Sequence, residues 1–332
     1  MRRWIIVVLM TIGTTGFVGC AGSGEDTSAD RTAPAAEGRE QDGMRPQVKG
    51  EPIDVARLEG RIVFDDFENV YVMEADGTGA QAVTVREGPE FDAAWAPDGR
   101  WIVYRDSRRG INEDDEIYVA RADGSGARNL TRNRANDWGP DWSPDGRTIV
   151  FNSDRAGAPM GGYLMSPDGS SLRRIEADVW IEYPSFSPDG TRIAFMGHDG
   201  SDYDVYVADL QTGATTRLTR APGSDGWPAW SPDGSTIAFA SERDDCLHVP
   251  RTSPCWSDPG GEPGEHHDIW LMEADGSNQR RVTSEFGQFV AWSPDGEYLL
   301  VSGASLYVIR SDGTGRAEVL PESGGIPDWI AP

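Results

Sequence analysis

The sequence predicts an all-β fold: a single β-propeller of six blades, each with four antiparallel strands. Two repeated turns predict this fold. An aromatic residue followed by Ser-Pro-Asp-Gly, or once by Ala-Pro-Asp-Gly, recurs between an apolar run and a short β-rich run. A second turn of the Ala-Asp-Gly type follows each copy at a steady distance. A four-stranded unit cannot bury its own faces, so successive units are expected to pack side by side around a ring.

The first turn joins the innermost strand of a unit to its second strand. Proline presets φ at about −65° at the second turn position, Asp caps the turn, and Gly accepts a positive φ at its exit. Successive copies are spaced by 47, 44, 44 and 62 residues, which predicts five full units with an insertion in the fourth. The copies begin at Trp95, Trp142, Phe186, Trp230 and Trp292.

The second turn joins the third strand of a unit to a short fourth strand. Residues 117–126 show the pattern, with Ile-Tyr-Val entering an Ala-Asp-Gly turn, and residues 217–219 are an example of the fourth strand. Both tight turns of every blade should therefore lie on one face of the ring, which we call the turn face. The loops between strands two and three, and between blades, should lie on the opposite face, which we call the loop face.

The first unit lacks an innermost strand of its own. Residues 61–64, 70–73 and 81–84 supply three strands, and no aromatic-Ser-Pro-Asp-Gly segment precedes them. Near the C-terminus, residues 326–330 read Ile-Pro-Asp-Trp-Ile and match the innermost strand of a unit, as in residues 139–142. We therefore predict that the C-terminal strand completes the first blade, which closes the ring and removes a free sheet edge.

These repeats resemble the WD-like repeats of TolB-type six-bladed propellers. The resemblance covers residues 60–330 and implies the same fold, with a binding role at the cell envelope. We expect no counterpart of the amino-terminal α/β domain of TolB, because the residues that precede the first strand are few and mostly polar.

Residues 1–19 predict a signal peptide, because two arginines precede an apolar run that is too short to span a bilayer. Residues 17–20 resemble the lipobox of bacterial lipoproteins, which implies that Cys20 becomes the lipidated first residue of the mature chain. The alternative is an ordinary secretory signal with a buried or paired cysteine. Residues 20–57 predict a disordered tether, and residues 58–332 the propeller. We expect an exported chain, anchored by lipid on the extracytoplasmic side of an outer or cytoplasmic membrane.

The composition is strongly acidic. The formal net charge is −25, from 55 Asp and Glu against 30 Lys and Arg, and Lys49 is the only lysine. A surface of this charge argues against nucleic acid as a partner, and against electrostatic docking on anionic lipid. It is typical of a solvated surface that keeps a protein soluble. The alternative is the binding of a cation or a basic partner.

The loop face holds the candidate binding residues, since its loops are longer and richer in aromatic and charged side chains. A funnel ringed by aromatics and carboxylates would suit a peptide or a small ligand. Each tryptophan has packing between blades as its alternative role, and Asp154 with Arg155 has a structural ion pair. The candidates are Asp92, Asp137, Trp138, Arg155, Trp180, Tyr183, Asp225, Trp227 and Arg243.

The insertion in the unit that begins at Trp230 holds two of the three cysteines. With Cys20 lipidated, Cys246 and Cys255 remain as a pair, which predicts a disulfide in an oxidising compartment. The alternative is zinc held by both cysteines with His266 and another histidine. That alternative is disfavoured, because the spacing of the cysteines fits no zinc ribbon and adjacent histidines point apart on a strand.

The sequence contains no motif for a catalytic nucleophile, a zinc protease or a phosphate loop, and it predicts no cofactor. We therefore expect a non-catalytic module that binds another envelope protein or a peptide at the loop face. The alternative is a propeller hydrolase or lyase that acts on a sugar or lactone, with a metal held in the central channel by inward carboxylates such as Asp92 and Asp137.

Overall fold

The protein is described here from a computed structural model, which covers residues 50–84, 88–107, 114–157, 160–198, 202–243, 267–283, 287–321 and 324–332. These residues form six sheets of four antiparallel strands each. A 3-10 turn, Val55–Arg57, precedes the first strand. The predicted fold class, an all-β propeller with six four-stranded blades, is confirmed.

Blades one to three contain the first half of the ring. In blade one the innermost strand comes from the C-terminus, and in the other two it comes first in sequence. The strands are β24 (Asp328–Ile330), β1 (Arg61–Asp65), β2 (Val70–Glu74) and β3 (Gln81–Ala82); β4 (Glu90–Trp95), β5 (Trp101–Asp106), β6 (Glu116–Arg121) and β7 (Arg128–Asn129); β8 (Asp137–Trp142), β9 (Ile149–Ser153), β10 (Gly161–Met165) and β11 (Arg173–Arg174).

Blades four to six complete the ring with the same internal order, from the innermost strand outwards. The strands are β12 (Glu182–Phe186), β13 (Arg192–His198), β14 (Tyr203–Asp209) and β15 (Thr215–Arg217); β16 (Asp225–Trp230), β17 (Thr236–Ser241), β18 (Asp268–Glu273) and β19 (Arg280–Arg281); β20 (Gly287–Trp292), β21 (Tyr298–Gly303), β22 (Leu306–Arg310) and β23 (Arg316–Leu320).

The Ser-Pro-Asp-Gly segments form the tight turns that the sequence predicts. In blade four the Ser187 hydroxyl donates to Asp189 at 2.7 Å, and Asp189 accepts the backbone N–H of Thr191 at 2.9 Å. Gly190 donates its N–H to the Ser187 carbonyl and has a φ of 70°, a conformation that glycine adopts without strain. The turn motif thus satisfies its own polar groups and returns the chain into the second strand.

The hydrophobic core lies between neighbouring blades. The cluster between blades two and three joins Val103 and Ile117 of one blade to Ile149, Phe151 and Trp142 of the next. All five side chains are buried. Full burial of such a side chain stabilises a fold by about 1.5–3 kcal/mol. Each blade therefore depends on its neighbours, which makes closure of the ring important.

The ring closes as the sequence predicts, through strand β24. Trp329 pairs with Ile62, as Trp142 pairs with Ile149 in blade three. The Trp329 indole donates to the Glu59 carbonyl at 3.0 Å. The prediction that the C-terminal strand completes the first blade is confirmed.

Part of the segment expected to be tether packs against blade six. Ile53 is 6% exposed and lies in the same hydrophobic cluster as Leu306 and Val308. Arg310 donates to the Glu51 carbonyl at 2.9 Å. The apolar Ile53 explains the difference, because it finds a buried site between the polar residues that suggested disorder.

Several predicted features lie outside the described residues: the signal peptide, Cys20, most of the tether and the Cys246–Cys255 pair. They stay predictions. In the part of the chain that the structure describes, no helix is both long enough and apolar enough to cross a membrane.

Candidate functional site

The six innermost strands surround a central channel with a volume of about 480 Å³. Each strand enters from the loop face and leaves through a tight turn on the turn face. Three residues before the aromatic residue of each unit, one residue per blade lines the channel near its loop-face end. We call these six residues the mouth ring; in blade order they are Ile326, Asp92, Gly139, Tyr183, Trp227 and Phe289.

Four members of the mouth ring have a left-handed backbone. The values of φ are 53° at Asp92, 57° at Gly139, 47° at Tyr183 and 49° at Trp227. The pairing register of each of these innermost strands shifts at this position, which marks a β-bulge. A positive φ is uncommon for large side chains, and such strain concentrates at functional sites, where bulges re-aim side chains. The mouth ring is therefore a candidate binding site.

Gly139 has the same left-handed backbone as the other three residues but no side chain, and the space around it is tight. A Cβ at this position would lie 2.7 Å from Asn152 Oδ1 and 3.2 Å from the Tyr183 Cα. Asn152 is fully buried, and its Oδ1 accepts the backbone N–H of Tyr183 at 3.2 Å. The amide of Asn152 thus supports the bulge of the next blade.

One side of the mouth ring is aromatic. The ring centroids of Tyr183 and Trp227 are 5.9 Å apart, and Trp227 meets Phe289 edge to face at 5.4 Å. We call these three residues the aromatic arc. His267 packs edge-on against Trp227 at 5.5 Å, and its Nε2 lies 3.1 Å from Glu242 Oε1. The arc spans three successive blades and offers an apolar wall to a ligand in the channel.

The other side of the mouth ring is acidic. The Asp92 backbone N–H donates to Asp65 Oδ2 at 3.3 Å, so the two carboxyl groups lie close together. Asp92 Oδ2 accepts the Gly139 N–H at 3.3 Å and lies 3.7 Å from the Arg105 guanidinium. Arg105 also donates a hydrogen bond to Asp115, so one guanidinium faces both carboxylates. We call Asp65 and Asp92 the acidic pair.

Burial is the main influence on the pKa values of the acidic pair. Burial raises the pKa of Asp92, and the Arg105 guanidinium offsets this in part. Burial and the negative charge of Asp92 raise the pKa of Asp65 well above its usual range. Burial and the same carboxylate raise the pKa of Tyr183, whose phenol therefore stays neutral at the margin of the arc. The mouth thus combines buried carboxyl groups of raised pKa on one side with aromatic faces on the other.

Two further carboxylates line the channel below the mouth ring. Asp141 accepts the N–H groups of Trp142 and of Phe186 in the next blade, both at 2.8 Å. Asp328 makes the same pair of bonds between blades one and two. Burial, with a contribution from the charge of Asp328, raises the pKa of Asp141 to about 7. These residues link neighbouring blades, and the recurring Pro-Asp-Trp segment was the sequence signal for them.

Two of the predicted pairs of candidates form buried ion pairs within blades. Arg155 donates to both carboxylate oxygens of Asp137 at 2.8 Å, and Arg243 donates to Asp225 at 2.8 Å. Both carboxylates are fully buried. The Arg243 guanidinium lies 4.4 Å from the centre of the Trp270 ring. These pairs brace the innermost strand against the loop between strands two and three, and do not line the channel.

The structure brings three of the nine predicted candidates together, Asp92, Tyr183 and Trp227, in the mouth ring. Trp138 is buried, and the Trp180 ring packs at a tilt against the His198 ring, with centroids 5.2 Å apart. Sequence reasoning missed Phe289, Asp65 and Arg105. The position three residues before each unit's aromatic residue would have revealed Phe289, whereas Asp65 and Arg105 are brought to the mouth by tertiary structure.

A metal site in the channel has no support in the described residues. They contain no group of three or more His, Cys, Asp or Glu side chains placed to hold a metal ion.

Fold and site together define a six-bladed propeller whose channel opens on the loop face between an acidic and an aromatic side. A family model for the TolB beta propeller domain matches residues 178–249. The protein is similar to crystallised TolB from Acinetobacter baumannii, with a TM-score of 0.65 and 20% identity over 81% of this chain and 66% of that one. The chain thus has the β-propeller fold of that TolB structure, and its residues 178–249 resemble the TolB propeller family.

Two curated relatives match a short segment at higher identity. The Tol-Pal system protein TolB of Coxiella burnetii (strain RSA 493 / Nine Mile phase I) is 42% identical over 50 residues, which are 15% of this chain and 11% of that protein. The TolB homolog of Chlorobium luteolum (strain DSM 273 / BCRC 81028 / 2530) is 43% identical over 54 residues, 16% and 12% of the two chains. The matches span about an eighth of the length of these relatives.

Proposed function

We propose that this chain is an exported cell-envelope protein that binds a peptide segment of another envelope protein at its mouth ring, without catalysis. The observation that carries the proposal is the mouth ring itself. Large aromatic side chains stand there on a strained backbone at the open end of a channel. Strain of this kind persists where the surrounding structure enforces it, and it clusters at ligand sites.

The comparisons support the envelope setting of this proposal. The Coxiella relative is named as a protein of the Tol-Pal system, and the matched family model is that of the TolB propeller. By this likeness we assign the present chain a protein partner at the envelope. The hydrolase or lyase alternative has no supporting observation among the described residues.

The proposal includes a lipid anchor on Cys20, followed by a tether. A Cβ on Gly50 would lie 2.9 Å from the Thr314 Cβ, in the turn between β22 and β23. That turn belongs to the turn face, so the chain enters the propeller on the side opposite the mouth ring. An anchor upstream of Gly50 would leave the mouth ring accessible to a partner.

The test compares two variants of the full chain in affinity capture from the envelope of the native host. Trp227→Gly removes the centre of the aromatic arc, and Gly139 shows that the bulge accepts glycine at this position. Leu172→Ala, the control, shortens a side chain that is 47% exposed and lies on the turn face. We expect the wild type and Leu172→Ala to retain the same partner, and Trp227→Gly to lose it.

Two results would count against the proposal. Equal capture of that partner by Trp227→Gly would remove the mouth ring as the binding site. Failure of the wild-type chain to retain any partner reproducibly would remove the binding role itself.

A further inference from the structure

We propose that the mouth ring selects a basic peptide segment, with an Arg or Lys side chain held at Asp92 and an adjacent apolar side chain on the aromatic arc. This inference rests on the proposed function and adds the chemistry of the partner to it.

Few positive charges lie among the buried carboxyl groups on the acidic side of the mouth ring. Asp65 forms no ion pair among the described residues, and Asp92 has Arg105 at 3.7 Å, a guanidinium that hydrogen bonds to Asp115. Arg105 thus pairs with two buried carboxyl groups, those of Asp92 and Asp115. Buried charges are stable when they are paired, so a cation that enters the channel would add to an Arg105 guanidinium that Asp92 shares with Asp115. Burial is the largest cause of the raised pKa of Asp65 and of Asp92, and a bound cation would lower both pKa values.

Aromatic side chains lie on both sides of the mouth. Asp92 and Trp227 belong to blades two and five, which are opposite each other in a ring of six. On the acidic side Phe67, which is 46% exposed, packs 6.4 Å from Phe91. The long side chains of Arg and Lys cover apolar surface with their stems, and their charged heads are attracted to aromatic rings. The mouth therefore suits both parts of such a side chain.

The long-range electrostatic field of the protein also favours a positively charged partner. The chain carries a formal net charge of −25, and a charge of one sign raises the local concentration and the association rate of oppositely charged partners. A divalent metal ion is the less suitable occupant, since calcium takes six to eight oxygen ligands and no group of three potential ligands exists among the described residues. The observations favour a peptide cation.

The test is selection from a displayed library of random short peptides on the immobilised full chain. The wild type should enrich peptides in which Arg or Lys adjoins an aromatic or aliphatic residue. Asp92→Asn should weaken the affinity of those peptides by about tenfold or more, as measured by fluorescence anisotropy. Asn accepts a φ of 53° readily and retains an oxygen for the Gly139 N–H, so this variant is expected to fold.

The matched control is Asp98→Asn, which removes the same charge from an exposed turn on the opposite face of the same blade. This variant should bind the basic peptides with unchanged affinity. If it loses as much affinity as Asp92→Asn, net charge alone explains the effect and the inference is wrong. Enrichment of neutral or acidic peptides that Trp227→Gly no longer binds would overturn this inference and leave the proposed function standing. Unchanged affinity of basic peptides for Asp92→Asn would also overturn it. If the wild type enriches no peptide, both proposals fail.

Discussion

At the scale of single residues, buried and exposed carboxyl groups have opposite effects on how the stability of the fold depends on pH. Burial raises the pKa of Asp141 and of Glu182 to about 7, and that of Asp204 to about 6. On the turn face, the Ser187 hydroxyl and the Thr191 N–H lower the pKa of Asp189 to about 2. The folded protein thus holds more protons than the unfolded chain above about pH 4, and fewer below it.

This difference predicts that the propeller is most stable in mild acid. Stability should fall as the pH rises from about 4 to about 7, by up to about 1.4 kcal/mol per pH unit for a single group such as Asp141. It should fall again towards pH 2, where groups such as Asp189 become protonated. Thermal melts across this range measure stability as a function of pH. Asp141→Asn should reduce the fall in stability between about pH 4 and pH 7. Stability that increases between pH 4 and pH 7 would contradict the assignment.

A glycine of the mouth ring provides a second prediction at the residue scale. Gly139→Ala adds a Cβ that would lie 2.7 Å from Asn152 Oδ1, in a backbone with positive φ. Gly213 also has a positive φ, 74°, but a Cβ there would meet nothing within 4 Å. We expect Gly139→Ala to cost about 1–3 kcal/mol more than Gly213→Ala, because overpacking adds to the backbone strain. If both variants lose the same free energy of unfolding in denaturant, the Asn152 side chain moves aside without cost, which would contradict the prediction.

At the scale of the element, the ion pairs of the blades hold the innermost strand to the second hairpin. Asp137 is fully buried, and its partner Arg155 also lies over the rings of Phe151 and Tyr163, at 5.2 and 4.9 Å. Asp225 and Arg243 repeat the arrangement two blades further on. Removal of one partner leaves the other charge buried without compensation. The loss of stability is therefore larger than the net contribution of the pair to stability.

Arg155→Met tests this account. The variant leaves the Asp137 carboxylate buried without its cation, and we expect a loss of about 3–5 kcal/mol in the free energy of unfolding. Arg57→Met is the control, because Arg57 and Asp54 form an exposed pair, with side chains 85% and 61% exposed, and exposed pairs contribute little. Equal melting of the wild type and Arg155→Met would contradict the structural role of the pair.

Sequence reasoning succeeded where structure is local. The Ser-Pro-Asp-Gly turns satisfy their own polar groups, so their residues predicted hairpins, and their repetition predicted blades and closure. The sequence predicted three members of the mouth ring as candidates, Asp92, Tyr183 and Trp227. Its bulges were not predicted, because a positive φ at tyrosine or tryptophan is imposed by neighbouring blades and has no glycine to mark it. Ile53 was placed in the tether for a similar reason, since its buried site belongs to blade six.

At the scale of the whole molecule, closure of the ring couples the two ends of the propeller. Asp328 accepts the Trp95 N–H at 2.8 Å, and Arg61 donates to the Gly99 carbonyl at 2.7 Å. The Arg61 guanidinium also lies 4.6 Å from the centre of the Trp95 ring. Blade one therefore bonds to blade two through residues from both ends of the chain, and loss of β24 would expose an edge in the centre of the ring.

Trp329→Ala measures the contribution of closure. The side chain is 6% exposed, and large aromatic residues in such sites cost about 3–5 kcal/mol when replaced by alanine. Leu172→Ala should change stability by less than about 0.5 kcal/mol, because its side chain is 47% exposed. Deletion of residues 326–332 should prevent stable folding. A deletion variant that melts like the intact protein would contradict the shared first blade.

The central claim, that the mouth ring is where the partner binds, is tested most directly by site-specific photocrosslinking in the native envelope. A benzophenone amino acid replaces Phe289 in the mouth ring or, in a second variant, Leu172 on the turn face. The account predicts a defined crosslinked product with one envelope protein from position 289, and none from position 172. The same product from position 172, with none from position 289, would place the partner on the opposite face and contradict the claim.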